Sequence, residues 1–230
     1  MFQRSGFVFA ALLALAIYAF WPPYFSKLPA GGDVYMHAHT ALMVCWLLLL
    51  VAQPFLIKMR RYDLHRRVGR SAFVLVPLAV VAAILLAHSR FTAIPANEFS
   101  SAAAFLYLPL AATFLFAVTG ALGLVLRQTP LLHARLMVCT SLTLIDPLVA
   151  RILGHRFPPL ENDLHYALIG YGITDLALLA LVLADRQSGG RAVFATMLVI
   201  FGTVHAGYFT LAQTGAWLGL ARAFTALPLT

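Results

Sequence analysis

Two histidines in matching positions are the residues of this chain that most directly suggest chemistry. His65 and His133 each open an apolar stretch, within the related runs Leu64-His65-Arg66-Arg67 and Leu132-His133-Ala134-Arg135. Two histidines at one membrane level on separate helices can hold the iron of a b-type haem from both sides. We therefore expect His65 and His133 to be an inner cofactor-binding pair. The alternative is that both residues only anchor helix ends among lipid phosphates.

A second set of polar residues lies in the opposite half of the apolar stretches: His39, His88, His165, His205, Asp146 and Asp175. An ionisable side chain at bilayer depth is costly and indicates a functional site. Histidine with carboxylate is a ligand set for zinc, iron or copper, so these residues predict an outer metal site. Two alternatives stay open. The groups could only bond helix to helix, or Asp146, Asp175 and His205 could relay protons.

Spacing predicts the orientation of several of these side chains. One stripe of residues at helical intervals should face the interior of the bundle: His39, Met43, Trp46, Leu50 and Gln53. His37 lies off this stripe and is expected near the membrane interface. Gln53 is then a polar group at depth that needs a partner. The pair Asp146-Pro147 predicts a kink beside the acid, because proline removes a backbone donor.

The elements that position these residues are seven apolar stretches. The chain has 62% hydrophobic and 10% charged residues, whereas soluble domains carry about 25% charged residues. Each stretch has roughly the length needed to cross about 30 Å of hydrocarbon. The predicted spans are 7–21, 34–57, 71–91, 102–126, 133–153, 165–184 and 192–211. The sequence thus predicts an all-α polytopic membrane bundle, one domain over 1–230, with its second to fifth helices as the core.

The basic residues predict the orientation. With an inside amino terminus, the inside segments hold eleven: Arg4, Lys58, Arg60, Arg61, Arg66, Arg67, Arg70, Arg127, Arg135, Arg186 and Arg191. The outside segments hold five: Lys27, Arg90, Arg151, Arg156 and Arg222. This excess favours an inside amino terminus and an outside carboxyl terminus. Because the basic residues follow helix ends, the net charge of +8 indicates contact with the lipid bilayer rather than with nucleic acid.

One part of the chain resembles a known family. The run from His37 through Gln53-Pro54 to the segment 64–70, Leu-His-Arg-Arg-Val-Gly-Arg, resembles the signature of an uncharacterised bacterial multi-pass membrane family. More distantly, His39 with Met43, Trp46 and Pro54 is similar to a core helix of transmembrane b-type cytochromes and ferric reductases. The resemblance implies haem held by paired histidines on a four-helix core. It also implies a location in a bacterial inner membrane.

Three functions follow from these residues. The first is a membrane redox protein that binds haem b or a transition metal and receives electrons from a quinol or a soluble donor. The second is an outward metal-dependent hydrolase or oxygenase, similar in kind to the seven-helix hydrolases of the adiponectin-receptor and alkaline-ceramidase type. The third is a proton-coupled carrier or an assembly factor without enzymatic chemistry.

Overall fold

The computed structural model describes residues 5–28, 30, 32–156 and 163–230. Within this part of the chain all regular elements are helical, so the predicted all-α fold is confirmed. The α-helices are α1 Ser5–Phe20, α2 Val34–Lys58, α3 Tyr62–Gly69, α4 Ala72–Thr92, α5 Ala96–Ala102, α6 Tyr107–Val125, α7 Pro130–Leu142, α8 Ile145–Arg156, α9 Asp163–Ala184, α10 Arg191–Phe209 and α11 Gly215–Thr225. Short 3₁₀ turns cover Phe25–Lys27, Ala103–Leu106 and Leu211–Gln213.

Six segments of the described residues are long and apolar enough to cross a membrane. They are Val34–Lys58, Tyr62–Thr92, Ala96–Val125, Pro130–Arg156, His165–Ala184 and Arg191–Gln213. The multi-pass membrane character is therefore confirmed by length and composition. The predicted stretch at 7–21 forms α1, an apolar helix of 16 residues. At 1.5 Å per residue it is about 24 Å long, shorter than the other six.

The two larger clusters of buried side chains among the described residues join the long helices. The first joins α1, α2, α4 and α6, with Trp46 against Phe116 at a ring distance of 5.4 Å. The second joins α6, α7, α9 and α10 around Leu178 and Phe201. Contacts of α1 with both α2 and α8 connect the two halves of the chain. The buried core therefore extends beyond the second to fifth helices, because α9 and α10 contribute five of the nine buried residues of the second cluster.

The predicted kink beside Asp146 is a complete break between two helices. α7 ends at Leu142 and α8 begins at Ile145. Pro147 has no backbone N–H, so it cannot donate to the carbonyl of Thr143. Hydroxyl groups bond to carbonyls one turn back where the helix ends, from Thr140 to Met137 at 2.7 Å and from Thr143 to Thr140 at 2.9 Å. The helix is thus interrupted next to Asp146, where the sequence predicts a kink.

Helix α11 follows the last predicted span and was not expected from the sequence. Its 11 residues are too few to cross a membrane, so it does not belong to any long apolar stretch of the sequence. Thr214 caps its amino end by accepting a hydrogen bond from the backbone N–H of Trp217 at 3.3 Å. The indole Nε1 of Trp217 donates to the carbonyl of Ala103 at 2.8 Å. These contacts hold α11 against the Ala103–Leu106 turn.

A buried ion pair fixes α7 to the end of α9. The Arg135 guanidinium donates through Nε to Asp185 Oδ2 at 2.5 Å and through an Nη to Oδ1 at 2.9 Å. It also donates to the Leu131 carbonyl and the Ser188 hydroxyl, both at 2.7 Å. The Arg135 and Asp185 side chains are 6% and 3% exposed. Arg67 is the residue that matches Arg135 in the run that contains His65, and its side chain is exposed. The two related runs therefore differ at this position.

The substitution Asp185→Asn is expected to lower the free energy of unfolding by about 3–5 kcal/mol, because it leaves the Arg135 charge buried without its anion. Thermal unfolding of the full chain in detergent measures this loss. The matched control is Asp63→Asn, which breaks the exposed pair with Arg66 and should cost less than about 1 kcal/mol. Equal losses in the two variants would contradict the structural role of Asp185.

The same pair predicts a pH dependence. Hydrogen bonds from Arg135 hold the pKa of Asp185 below its ordinary value of 3.8. A lowered folded-state pKa contributes stability that is fully present above the unfolded pKa of about 3.9 and is lost as the pH falls through the folded pKa. The stability difference between wild type and Asp185→Asn should therefore be constant above about pH 5 and shrink below about pH 4.

Candidate functional site

A cavity of about 640 Å³ lies at the end of the bundle where α2 ends and α3 begins. Small-molecule pockets in proteins span about 300–1,000 Å³, so the cavity has the size of a ligand site. Trp46, Leu50 and Met137 are among the apolar side chains of its wall. His65 and His133 both line it. The structure thus brings together the two histidines that the sequence predicts to be an inner pair.

His133 is oriented by the backbone of α6. It lies in the first turn of α7, which begins at Pro130. Its Nδ1 is 2.8 Å from the carbonyl oxygen of Gly123. A carbonyl only accepts hydrogen bonds, so Nδ1 carries the proton and Nε2 keeps its lone pair. Metal-bound histidines commonly donate their second ring N–H to such a carbonyl, and His133 therefore has the tautomer of a metal ligand.

His65 is held by Gln53, which fulfils the expectation that this amide finds a partner at depth. In the amide orientation that satisfies both ends, the Gln53 nitrogen donates to Nδ1 and to the carbonyl of His65. The Gln53 oxygen then accepts the backbone N–H of Gly69 at 3.2 Å. Gln53, His65 and Gly69 all belong to the sequence run from His37 to Arg70. That run therefore forms one hydrogen-bonded corner of the cavity.

The turn between α2 and α3 brings this corner together. Arg60 adopts a left-handed conformation with φ 58°. The backbone N–H of Arg61 donates back to the carbonyl of Leu56 at 2.9 Å, which closes the end of α2. The chain reverses there, so α3 folds back and His65 meets Gln53. The reversal also leaves Lys58 and Arg60 on the lining of the cavity. Among its described lining residues there is no acidic side chain, so this end of the cavity is positively charged.

The remaining predicted histidines lie outside this cavity and have separate surroundings. His88 is 1% exposed, its Nδ1 is 2.7 Å from the Thr230 hydroxyl, and its ring packs against Phe224. The Nδ1 of His39 is buried, and no hydrogen-bond partner for it is found among the described residues. His165 is exposed in the first turn of α9. His37 is bonded to the Tyr24 hydroxyl at 2.7 Å.

Three of the predicted outer residues do come together between α8, α9 and α10. The Nδ1 of His205 donates to Asp175 Oδ1 at 2.9 Å. The His205 ring stacks on Tyr171 with a centroid distance of 4.0 Å. Asp146 interacts electrostatically with His205 and with Arg151. Tyr171 is buried, and within the described residues its hydroxyl has no hydrogen-bond partner. We call Asp146, Tyr171, Asp175 and His205 the outer cluster.

Two glycines allow the helices of the outer cluster to approach. A β-carbon at Gly170 on α9 would overlap the Asp146 carboxylate and come within 3.0 Å of the Asp146 Cα. A β-carbon at Gly207 on α10 would overlap the hydroxyl of Tyr107. That hydroxyl donates to the carbonyl of Val204 at 2.7 Å. Small residues thus let α8 and α6 pack closely on α9 and α10.

The structure gives the outer metal site no direct support. Across residues 5–28, 32–156 and 163–230, no three His, Cys, Asp or Glu side chains form a group that could hold a metal ion. Two features were not predictable from spacing alone: the pairing of Asp185 with Arg135 and the stacking of Tyr171 on His205. Asp185 directly follows the predicted span 165–184, and Arg135 lies near the start of the predicted span 133–153. Both residues are therefore expected at the same membrane level, and this shared level could have predicted their ion pair.

The substitution Tyr171→Phe should leave stability unchanged or raise it by up to about 1 kcal/mol, because the lost hydroxyl bonds to no described residue. Asp175→Asn should lower stability by about 1–3 kcal/mol, because it removes the charged acceptor of His205. Both changes are measured by thermal unfolding of the full chain in one detergent. A larger loss in Tyr171→Phe than in Asp175→Asn would contradict this arrangement.

Comparisons with protein-family models, with curated proteins and with solved structures found no match to this chain. Its function is therefore inferred from the cavity and from the outer cluster.

Proposed function

We propose that this chain is a membrane redox protein that holds a b-type haem in the inner cavity between His65 and His133. The observation that carries the proposal is that both rings line one cavity with Nδ1 engaged by protein atoms. His133 then offers the lone pair of its Nε2 to the ligand, and His65 would offer its own Nε2 once Nδ1 carries the proton and the Gln53 amide turns its oxygen toward it. Bound there, haem would supply one-electron chemistry, and its potential would depend on the ligands and on burial.

The chemistry of the cavity wall supports haem. The macrocycle is apolar on both faces and carries two carboxylates on one edge. Trp46, Leu50 and Met137 offer an apolar wall, while Lys58 and Arg60 offer cations for carboxylates. Gln53 would act on the potential indirectly, because its oxygen could accept the Nδ1–H of a ligating His65 and so orient that ring.

A quinol is the second candidate ligand, and one observation favours it. His133 donates through Nδ1, so its Nε2 is an acceptor, whereas the Nδ1 of His65 accepts from Gln53, so its Nε2–H is a donor. One acceptor and one donor on the same cavity match a hydroxyl and a carbonyl oxygen of a quinol or quinone. In this form the hydroxyl of a quinol would donate a hydrogen bond to Nε2 of His133, and Nε2–H of His65 would donate to the second oxygen of the ring.

The orientation of the chain belongs to the same proposal. We infer that α1 is a seventh membrane crossing, with the amino terminus inside, the carboxyl terminus outside and the inner cavity at the cytoplasmic face of a bacterial inner membrane. Support comes from the eleven basic residues on the proposed inside against five outside. The contacts of α1 with α2 and α8 also support a position within the bundle.

Cysteine labelling in intact cells tests this orientation. In a full chain without Cys45 and Cys139, an impermeant maleimide should modify Ser100→Cys and leave Gln128→Cys unmodified until the membrane is opened. An antibody should reach an amino-terminal epitope only after permeabilisation, because a membrane-crossing α1 places the amino terminus on the inside. Labelling of Gln128→Cys in intact cells would refute the orientation, and an accessible amino-terminal epitope would refute the seventh crossing.

Visible spectra test the haem. The full chain, purified in mild detergent after expression with haem supplied, should show the sharp reduced α-band of low-spin haem with two histidine ligands. His65→Ala and His133→Ala should each lose this low-spin spectrum. Gln53→Leu should weaken haem binding by roughly 10- to 100-fold, as removal of a group that orients a ligand commonly does. The matched control is His165→Ala, an exposed histidine, which should retain full haem content.

Two outcomes separate the candidates. A wild-type protein without haem, or full low-spin haem in both alanine variants, would refute the haem site. A colourless protein whose Trp46 fluorescence is quenched by added ubiquinone, in a Trp21→Phe and Trp217→Phe background, would support the quinol site instead. That quenching should disappear in His133→Ala.

A further inference from the structure

A second cavity, of about 620 Å³, lies between α1 and α8 at the end of α1 opposite to the inner cavity. We call it the α1–α8 cleft. Tyr18 and Trp21 come from the end of α1, and Arg151, His155 and Arg156 come from the last two turns of α8. It shares no lining residue with the inner cavity. Its ligand is therefore a separate question from the haem.

The cleft concentrates positive charge. Its lining includes the guanidinium groups of Arg151 and Arg156, the imidazole of His155 and, within the described residues, no acidic side chain. Arg156 donates through Nε and an Nη to the Tyr18 hydroxyl at 3.1 and 2.5 Å, and its guanidinium lies 5.7 Å from that ring's centroid. A phenol is neutral, so this contact orients the Arg156 charge without cancelling it. The Arg151 guanidinium lies 5.7 Å from the Phe20 ring centroid.

Arg151 also interacts with Asp146 of the outer cluster. Asp146 is itself shared, because it interacts with His205 as well. With two arginines against one shared carboxylate, the described residues of the cleft keep a net positive charge. An arginine between a carboxylate and an open cavity can still present its remaining N–H groups to an anion.

The rest of the wall indicates which anion. Ala14, Ile17 and Ile152 continue the lining of the cleft with apolar side chains. Tyr18 and Trp21 are 50% and 56% exposed. Exposed tyrosine and tryptophan at the end of an apolar helix are typical of headgroup depth. A ligand that is anionic at the headgroup level and apolar below it is a phospholipid.

We propose that the α1–α8 cleft binds an anionic phospholipid, with its phosphodiester on Arg151 and Arg156 and an acyl chain along Ile17 and Ile152. Arginine suits a phosphate because its planar fork can donate two parallel hydrogen bonds. The aromatic side chains lie where the glycerol region of the lipid would be. A soluble phosphate would share the two arginines but would make no use of the apolar wall.

Native mass spectrometry of the full chain tests this site. The protein is offered equal amounts of phosphatidylglycerol and phosphatidylcholine in detergent, and wild type should retain phosphatidylglycerol preferentially. One basic residue near the membrane surface contributes about 1 kcal/mol, so each arginine changed to glutamine should weaken retention about 5-fold and both together about 30-fold. The matched control is Arg222→Gln, which removes an exposed charge on α11 and should retain the lipid as wild type does.

The variants Arg151→Lys and Arg156→Lys guard against loss of folding. They keep the charge and lose the planar fork, so the double lysine variant should retain more lipid than the double glutamine variant. Retention of phosphatidylglycerol by a folded Arg151→Gln, Arg156→Gln protein at the wild-type level would overturn the proposal. Equal retention of the two lipids by wild type would also overturn it. Release of phosphatidylglycerol by millimolar inorganic phosphate would assign the cleft to soluble phosphate and overturn the lipid.

Discussion

The constraint on which this structure depends is that the hydrocarbon of a bilayer offers no hydrogen bonds. Polar groups within the bundle must therefore find partners inside the protein. Arg135 shows how completely this can be done, since its donors reach Asp185, Ser188 and a backbone carbonyl. Hydroxyls along α7 return to carbonyls of their own helix. Buried polar atoms without such partners are thus unusual here, and Tyr171 in the outer cluster is one of them.

Hydropathy was sufficient to predict most of the helices, because a membrane-crossing helix has a length set by the bilayer. It failed for α11, whose 11 residues pack on other helices instead of crossing the hydrocarbon. It also gave no information on packing. The sequence placed the core in the second to fifth helices, whereas Leu178 and Phe201 bring α9 and α10 into it. Small residues such as Gly170 decide which apolar helix faces can come into contact. A single sequence does not reveal which residues are the neighbours of Gly170.

The candidate sites were predictable to different degrees. His65 and His133 occupy matching positions at the ends of two predicted helices, which places them at the same membrane level. Helix ends align at the membrane surface, so residues at one predicted level stay at one level in the folded protein. The described residues bring only part of the outer set together, since equal depth does not fix the direction of a side chain around its helix. His205 and Asp175 face each other, whereas His165 is exposed and His88 bonds to Thr230. The angular position of each helix is decided by packing and not by the periodicity of one sequence.

The break between α7 and α8 has an electrostatic consequence for Asp146. A helix that begins inside a membrane presents unpaired backbone N–H groups and the positive end of its dipole there. Asp146 is the second residue of α8, so its carboxylate lies in the first turn, where such an end favours negative charge. In a continuous helix, Asp146 would lie beside peptide units whose N–H groups are all bonded. It would then lack the positive potential of a helix amino end. The interruption therefore lets the protein keep an acid within the bilayer at a lower cost than the helix it divides.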